Sequence, residues 1–151
     1  IRLVNGHKVN IKFCESIELS REKRKKNLLN SLNRKDYFCS FSHSKNISVC
    51  AYIPPSKNIG IDIEPIERQI SIRLNQILSL QSKRLKLKNI ELWCLMEATF
   101  KACPDLQHQH FLNYDFERDG KLFWLKHESN KRIFLKIFKR KKFVYAIAIE
   151  D

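Results

Sequence analysis

Long apolar runs are missing from this chain of 151 residues. A helix that spans a bilayer needs about 18 consecutive apolar residues, and no such run occurs. No charged segment leads into an apolar stretch and a small-residue cleavage site, as it does in a secretory signal. We therefore expect a soluble cytoplasmic protein without a membrane partner, and the 43% hydrophobic content is enough for the core of one compact domain.

Paired cysteines are missing as well. The chain has five cysteines, an odd number, and none of them belongs to a Cys-x-x-Cys pair. This pattern favours neither a zinc ribbon nor a disulfide framework. We expect reduced and mostly buried thiols at the five positions, which are Cys14, Cys39, Cys50, Cys94 and Cys103.

Acidic residues are scarce relative to basic ones. The chain has 29 lysines and arginines against 16 aspartates and glutamates, which gives a formal net charge of +13. The excess predicts anionic partners without choosing among them. We expect the basic runs at residues 83–88 and 139–142 to be solvated surface. Because no zinc knuckle, RNA-recognition aromatic motif or clear helix-turn-helix pattern is present, a nucleic-acid-binding module is only an alternative.

Apolar periodicity predicts a chain that is rich in short strands. Alternating or continuous apolar stretches indicate strands at residues 9–13, 37–41, 47–53, 59–63, 122–125, 133–138 and 143–149. Turns are predicted at Asp119-Gly120, around Ser129-Asn130 and at the basic residues 139–142, so the last strands form a meander.

Three helical segments separate these strands. A basic helix of about three turns follows Ser20, which is a good N-cap. Residues 65–88 are predicted to be helical with an interruption near residues 79–82, and a third helix ends at Cys103-Pro104. The mixture of strands and helices predicts an α+β fold.

Three carboxylates occupy positions from which they can converge. Asp62 and Glu64 are two residues apart in the strand Gly60-Ile61-Asp62-Ile63-Glu64, so they project from the same face. In the third helix, Trp93, Glu97 and Lys101 follow one another at four-residue spacing and share one face. Carboxylates on a strand and a helix suit a hard divalent ion such as Mg²⁺, whose other ligands are water and substrate phosphate.

The order of these motifs resembles a known family. Gly-Ile-Asp-Ile-Glu followed by Trp-x-x-x-Glu-Ala-x-x-Lys is similar to the two signature motifs of the 4′-phosphopantetheinyl transferase superfamily. The surfactin-synthetase type also has an upstream Ser-His-Ser, here Ser42-His43-Ser44, and a basic opening of its first helix, here residues 20–26. The resemblance covers about residues 20–103, with a looser match at residues 143–149.

The resemblance implies a fold and an activity. Residues 1–151 would form one domain of two pseudo-symmetric lobes, about 1–56 and 57–151, each with antiparallel strands packed on a helix and with Pro54-Pro55-Ser56 at the boundary. The activity would be Mg²⁺-dependent transfer of 4′-phosphopantetheine from coenzyme A to a serine of an apo acyl or peptidyl carrier protein. Such carriers are typically acidic, which would account for the basic charge.

The resemblance also assigns roles to individual residues. Asp62, Glu64 and Glu97 would hold Mg²⁺, and Glu97 and Lys101 would be catalytic. The coenzyme A site would be formed by Ser42, His43, Lys23 and Lys26. We interpret Trp93 as packing that positions Glu97.

Two departures from the family pattern leave other functions open. The family usually has lysine immediately before the helix glutamate, whereas this chain has Met96 and so lacks that cation. The segment between the basic helix and Ser42 is also shorter than is usual in the family. One alternative is therefore a degenerate homologue that binds coenzyme A with little transferase activity, and the other is a basic nucleic-acid-binding module.

Overall fold

Two antiparallel sheets and the helices packed against them make up the fold. The computed structural model describes residues 2–32, 39–53, 57–106, 110–126 and 132–151. Within these residues the chain forms nine strands and three α-helices. The predicted α+β class is confirmed. No helix in the described ranges has both the length and the apolar character needed to cross a membrane.

The first sheet comes from the amino-terminal part of the chain. Its strands are β1 (Arg2–Val4), β2 (His7–Glu15), β3 (Cys39–Ser44) and β4 (Ile47–Tyr52), in the order β1-β2-β4-β3. Helix α1 (Arg21–Asn30) begins after Ser20, whose hydroxyl accepts a hydrogen bond from the Lys23 backbone N–H. Because its sequence is mostly basic, α1 packs on the sheet through a small cluster centred on Leu28, Leu32 and Cys50. We call this sheet and α1 the first lobe.

The second sheet has five strands. They are β5 (Ile59–Pro65), β6 (Glu117–Asp119), β7 (Leu122–Lys126), β8 (Arg132–Arg140) and β9 (Phe143–Glu150), in the order β5-β9-β8-β7-β6. Helices α2 (Ile72–Leu85) and α3 (Asn89–Ala102) follow β5, and two short 3-10 turns, Pro104–Leu106 and Phe111–Asn113, follow α3. We call this sheet with α2 and α3 the second lobe.

Strand β5 is the strand that positions the candidate site, because its two faces meet different partners. Ile59, Ile61 and Ile63 belong to an apolar cluster shared with the first sheet, and the residues between them face α3. A Cβ atom at Gly60 would lie 1.8 Å from the Ala98 carbonyl oxygen, so only glycine lets α3 approach this closely. The side chains of Asp62 and Glu64 project on the same face as Gly60.

The two lobes meet along the edges of β3 and β5, and two serine hydroxyls bridge the strands there. The backbone N–H of Ile61 donates to Ser40 Oγ at 3.0 Å, and that of Ile63 donates to Ser42 Oγ at 3.3 Å. These hydroxyls satisfy buried N–H groups of β5 that β9 does not bond. The seam therefore fixes β3 relative to β5, and with it Ser42 and His43.

Several element boundaries differ from the predicted ones. Helix α2 begins at Ile72 after the N-cap Ser71, not at residue 65, and the predicted interruption at residues 79–82 is wrong. Ser79 Oγ and Ser82 Oγ donate to carbonyls of the preceding helical turn, so these serines remain compatible with the helix. Strand β8 continues to Arg140, which confines the basic turn to residues 141–142.

Some predictions concern residues that the structure does not describe. The lobe boundary at residues 54–56, the turn at 129–130 and the start of the strand at 37–38 lie outside the described residues. Strands β1 and β6, of three residues each, were not among the predicted strands.

Candidate functional site

A cleft of about 620 Å³ lies where β3, β5 and α3 meet. Six of the eight candidate residues line it, namely Ser42, His43, Asp62, Glu64, Glu97 and Lys101. Two of them lie on β3 of the first lobe, two on β5 and two on α3 of the second lobe. The two-residue spacing on β5 and the four-residue spacing on α3 place each of those pairs on one side of its element. Arg21, Arg68 and Trp93 line the same cleft.

Asp62 is the most buried carboxylate of the cleft, with only 5% of its surface exposed. Its Oδ1 accepts hydrogen bonds from Ser42 Oγ and from Lys101 Nζ, both at 2.8 Å. Lys101 Nζ also donates to the Ile61 carbonyl oxygen at 3.2 Å. The other oxygen, Oδ2, is buried and has no hydrogen-bond partner among the described residues. Such an unsatisfied carboxylate oxygen is costly unless a cation or donor reaches it.

Glu64 is paired with an arginine that follows it by four residues. Arg68 Nη1 donates to Glu64 Oε1, and the Arg68 guanidinium lies over the Trp93 ring at 6.0 Å from its centroid. Burial raises the pKa of the Glu64 carboxyl, and the charge of Asp62 raises it further, while Arg68 opposes both effects. Glu64 is therefore close enough to Asp62 for the two carboxylates to repel each other.

Glu97 lies one helical turn after Trp93 and one turn before Lys101 on α3. Burial raises the pKa of its carboxyl, and the charge of Asp62 acts in the same direction, while Lys101 and Arg68 lower it. The carboxyl is a stronger base than an ordinary surface glutamate for these reasons.

His43 and Ser42 bring the first lobe into the cleft. Burial lowers the pKa of the His43 imidazole, and the positive charges of Arg21 and Lys101 lower it further. At neutral pH the ring is therefore mostly neutral, and it offers one N–H donor rather than a cation. The Ser42 hydroxyl connects the lobes, since it donates to Asp62 and accepts from the Ile63 N–H.

The basic helix contributes to the cleft through a different residue from the two predicted ones. Lys23 and Lys26 are exposed and do not line the cleft, whereas Arg21 does. Arg24, in the same run, is buried and donates to Ser48 Oγ at 3.1 Å and to the Lys45 carbonyl oxygen at 2.9 Å. The coenzyme A roles of Lys23 and Lys26 stay predictions. In the sequence, nothing distinguishes Arg21 as a residue of the cleft except its position next to the N-cap Ser20.

Met96 points away from the cleft. It is 1% exposed and belongs to the main apolar cluster of the second lobe, beside Leu92 and Leu95. The position at which the resembling family usually has lysine is therefore a core position here. The positive charge beside the carboxylates comes instead from Arg68, paired with Glu64, and from Lys101, paired with Asp62. Arg68 was not predicted from the sequence because it lies outside both motifs.

The donor set of the cleft fits a divalent cation in part. Within the described residues, no group of three or more His, Cys, Asp or Glu is arranged to hold a metal ion. Within the same residues, Oδ2 of Asp62 has no partner, and partial burial and the charge of Asp62 raise the pKa of Glu64 and Glu97, which favours a nearby cation. The Oδ2 atom of Asp62 is therefore the observation in the cleft that points most directly to a cation or a donor, and the metal roles of Asp62, Glu64 and Glu97 stay predictions.

A basic depression of about 450 Å³ adjoins the cleft and shares Lys45 and Pro65 with it. Lys141 and Lys142, from the turn between β8 and β9, also line the depression. Glu67 lines it as well, so three lysines against one carboxylate extend the positive charge beyond the cleft.

No family model matches the chain, and no curated protein sequence matches it.

Proposed function

We propose that the protein transfers 4′-phosphopantetheine from coenzyme A to a serine of an apo acyl or peptidyl carrier protein. The observation that carries the proposal is the meeting of Ser42 and His43 with the carboxylates of β5 and α3 in one cleft. These residues come from motifs that are separate in the sequence, and they fit the fold of two lobes that the proposal implies.

Coenzyme A would lie along the basic side of the cleft. The neutral His43 donates one N–H to a phosphate, and the charge of Arg21 and of the adjoining lysines offsets the remaining phosphate charge. Lys23 and Lys26, on the exposed face of α1, would contact the outer part of the nucleotide. A phosphate contact of this kind contributes about 1.5–3 kcal/mol.

Asp62, Glu64 and Glu97 would hold Mg²⁺ beside the pyrophosphate. The ion would neutralise charge on the leaving phosphate. In the reaction, the serine oxygen of the carrier forms a bond to the β-phosphorus, the bond between that phosphorus and the bridging oxygen breaks, and adenosine 3′,5′-bisphosphate leaves.

Glu97 would accept the proton of the serine hydroxyl. Its partly buried carboxyl is suited to this because burial and the charge of Asp62 raise its pKa. Lys101, held at 2.8 Å from Asp62 Oδ1, pairs with the buried aspartate and adds positive charge beside the reacting phosphate. The remaining work of the site is positioning, as is usual for phosphoryl transfer.

The proposal extends to partners and location. The charge of +13 suits both a nucleotide and an acidic carrier protein. Three of the five free cysteines are buried and two are half-buried, and we propose the reducing cytoplasm as the location of the protein.

The test is to incubate the protein with coenzyme A, Mg²⁺ and an apo carrier protein, and to weigh the carrier by mass spectrometry. We expect the carrier to gain the mass of phosphopantetheine, and EDTA to prevent the gain. Glu97→Gln should lower kcat/KM by at least about a hundredfold, the usual contribution of a general base. Glu117→Gln, an exposed residue of β6, is the matched control and should be active. Transfer that persists in EDTA, or in Glu97→Gln, would contradict the proposal.

A second candidate is a homologue that binds coenzyme A without transfer. The ion pairs of Asp62 with Lys101 and of Glu64 with Arg68 favour it, because each pair neutralises a carboxylate without a metal. Calorimetric binding of coenzyme A, together with an unchanged mass for several carrier proteins, would select this candidate. Tight binding of duplex DNA at physiological salt, with no competition by coenzyme A, would select a nucleic-acid-binding module instead.

A further inference from the structure

Arg68 is held at the edge of the cleft by two different contacts. Its Nη1 donates to Glu64 Oε1, and its guanidinium lies over the Trp93 ring. A carboxylate on one edge and an aromatic ring on one face together fix the plane of the guanidinium, so less side-chain entropy is lost when a further ligand binds.

Most donors of this guanidinium stay available to the cleft. An arginine has five N–H donors, and among the described residues only Nη1 of Arg68 has a hydrogen-bond partner. The side chain is 46% exposed, and it lines both the cleft and a second groove of about 590 Å³ beside α2. Arg68 is thus half-buried on the Glu64 side and open on the other.

The charge of Arg68 acts on the carboxylates of the site. It lowers the pKa of Glu64, to which it is bonded, and also that of Glu97, which lies on a different element. A positive charge that influences both carboxylates lies near the place where substrate phosphates would be held.

The other cation beside these carboxylates is more fully engaged. Lys101 Nζ donates to Asp62 Oδ1 and to the Ile61 carbonyl oxygen, which uses two of its three donors. Met96 is buried in the core, so no cation enters the cleft from the position before Glu97.

We propose that Arg68 is a phosphate-binding residue that holds the diphosphate of the substrate with the guanidinium nitrogens that Glu64 leaves open. This inference rests on the proposed function for the identity of the diphosphate as that of coenzyme A. The planar fork of Arg68 matches two phosphate oxygens, which a lysine cannot do. Trp93 serves as its support.

The first test is isothermal titration with coenzyme A and, separately, with inorganic pyrophosphate. We expect Arg68→Gln to weaken both affinities by about tenfold to a hundredfold, the usual loss for a charge-assisted hydrogen bond. Arg68→Lys should lose less, because it keeps the charge and loses only the fork. Arg73→Gln is the matched control, because Arg73 is exposed on α2 and lines neither the cleft nor the second groove.

The second test uses the fluorescence of Trp93. The chain has two tryptophans, so Trp124→Phe leaves Trp93 as the only one. Pyrophosphate should change the Trp93 emission, because it draws the guanidinium away from the ring or fixes it there. The same titration of the Trp124→Phe, Arg68→Gln double variant should give no change.

The outcomes separate this inference from the proposed function. If Arg68→Gln folds and binds coenzyme A and pyrophosphate within twofold of wild type, the assignment of Arg68 is overturned, even where wild type transfers normally. If wild type binds pyrophosphate through Arg68 but neither binds nor uses coenzyme A, the diphosphate site stands and the transferase proposal fails.

Discussion

The two lobes hold their helices by different means. Nine residues of α3 are buried, and most of them are apolar residues packed on β5 and β9. In α1 only Arg24 and Leu28 are buried, and Arg24 is held by hydrogen bonds rather than by apolar contacts. The second lobe is therefore stabilised mainly by the hydrophobic effect, whereas α1 combines a small apolar cluster around Leu28 with a polar network around one arginine.

The two lobes also contribute different residues to the cleft. The carboxylates, with Lys101 and Arg68, come from the well-packed second lobe, whereas His43 and Arg21 come from the first. A rigid support suits residues that would hold an ion and move a proton, because their geometry must be maintained. We expect the wall formed by the first lobe to open at a lower free-energy cost.

The largest effect should come from a side chain that clashes where β5 and α3 are in closest contact. In Gly60→Ala, the added Cβ would overlap the backbone of Ala98 and lie 2.7 Å from the Ala102 nitrogen, so one element must move. We expect a loss of more than about 3 kcal/mol in the free energy of unfolding, measured with urea. Gly120→Ala is the control: a Cβ there meets open space, and the positive φ costs about 1 kcal/mol. Equal losses of unfolding free energy in the two variants would show that α3 does not pack closely on β5 at Gly60.

A charge in the core of the second lobe should cost nearly as much. Met96→Lys places an ammonium at a position that is 1% exposed, and we expect a loss of about 3 kcal/mol in unfolding free energy. Met96→Leu, which keeps the volume, should lose less than about 1.5 kcal/mol. A stable Met96→Lys protein with faster transfer would mean that this position reaches the cleft.

Removing the polar network should affect the first lobe selectively. Arg24→Met leaves the Ser48 hydroxyl and the carbonyl oxygens of Ser16, Leu19 and Lys45 without their donor. We expect a loss of about 2 kcal/mol, with faster amide hydrogen exchange in α1 than in α3. Lys26→Met, an exposed change in the same helix, is the control. If exchange quickened equally in both helices, the two lobes would not differ as described.

The smallest change concerns the seam between the lobes. Ser40→Ala removes the acceptor of the Ile61 N–H, and we expect a loss of about 1 kcal/mol together with faster exchange of that amide. Ser42→Ala should have a similar effect on Ile63, and it should also lower activity because Asp62 loses a donor. Unchanged exchange at Ile61 would indicate that another group or water replaces the hydroxyl.

Elements with a long apolar periodicity could be predicted from the sequence, whereas elements and boundaries that depend on long-range contacts could not. The strands around Ile61 and Ile147 and the helix around Leu95 were predicted because their apolar patterns are long. Strand β6 carries only exposed polar residues, so nothing in its composition distinguishes it from a loop. The start of α2 was placed too early because residues 65–71 share its composition, and only the cap at Ser71 marks the true start.

The candidate site was predictable to the extent that its residues lie in short motifs. Spacing placed Asp62 with Glu64, and Glu97 with Lys101, and the fold brings both pairs to one cleft. Arg68 was not predictable, because its role depends on contacts with Glu64 and Trp93 that form only when β5 and α3 meet. Met96 was interpreted as a missing cation, whereas its burial makes it part of the core.

The serine-bridged seam also has a consequence for self-association. An open sheet edge offers unpaired backbone groups on which a strand from another molecule can add and begin an aggregate. Here the long edge strands β3 and β5 face each other, and Ser40 and Ser42 occupy two of the N–H groups along β5. Within the described residues, the opposite edges are β1 and β6, which are only three residues each, so the two long edge strands are the ones that the seam brings together.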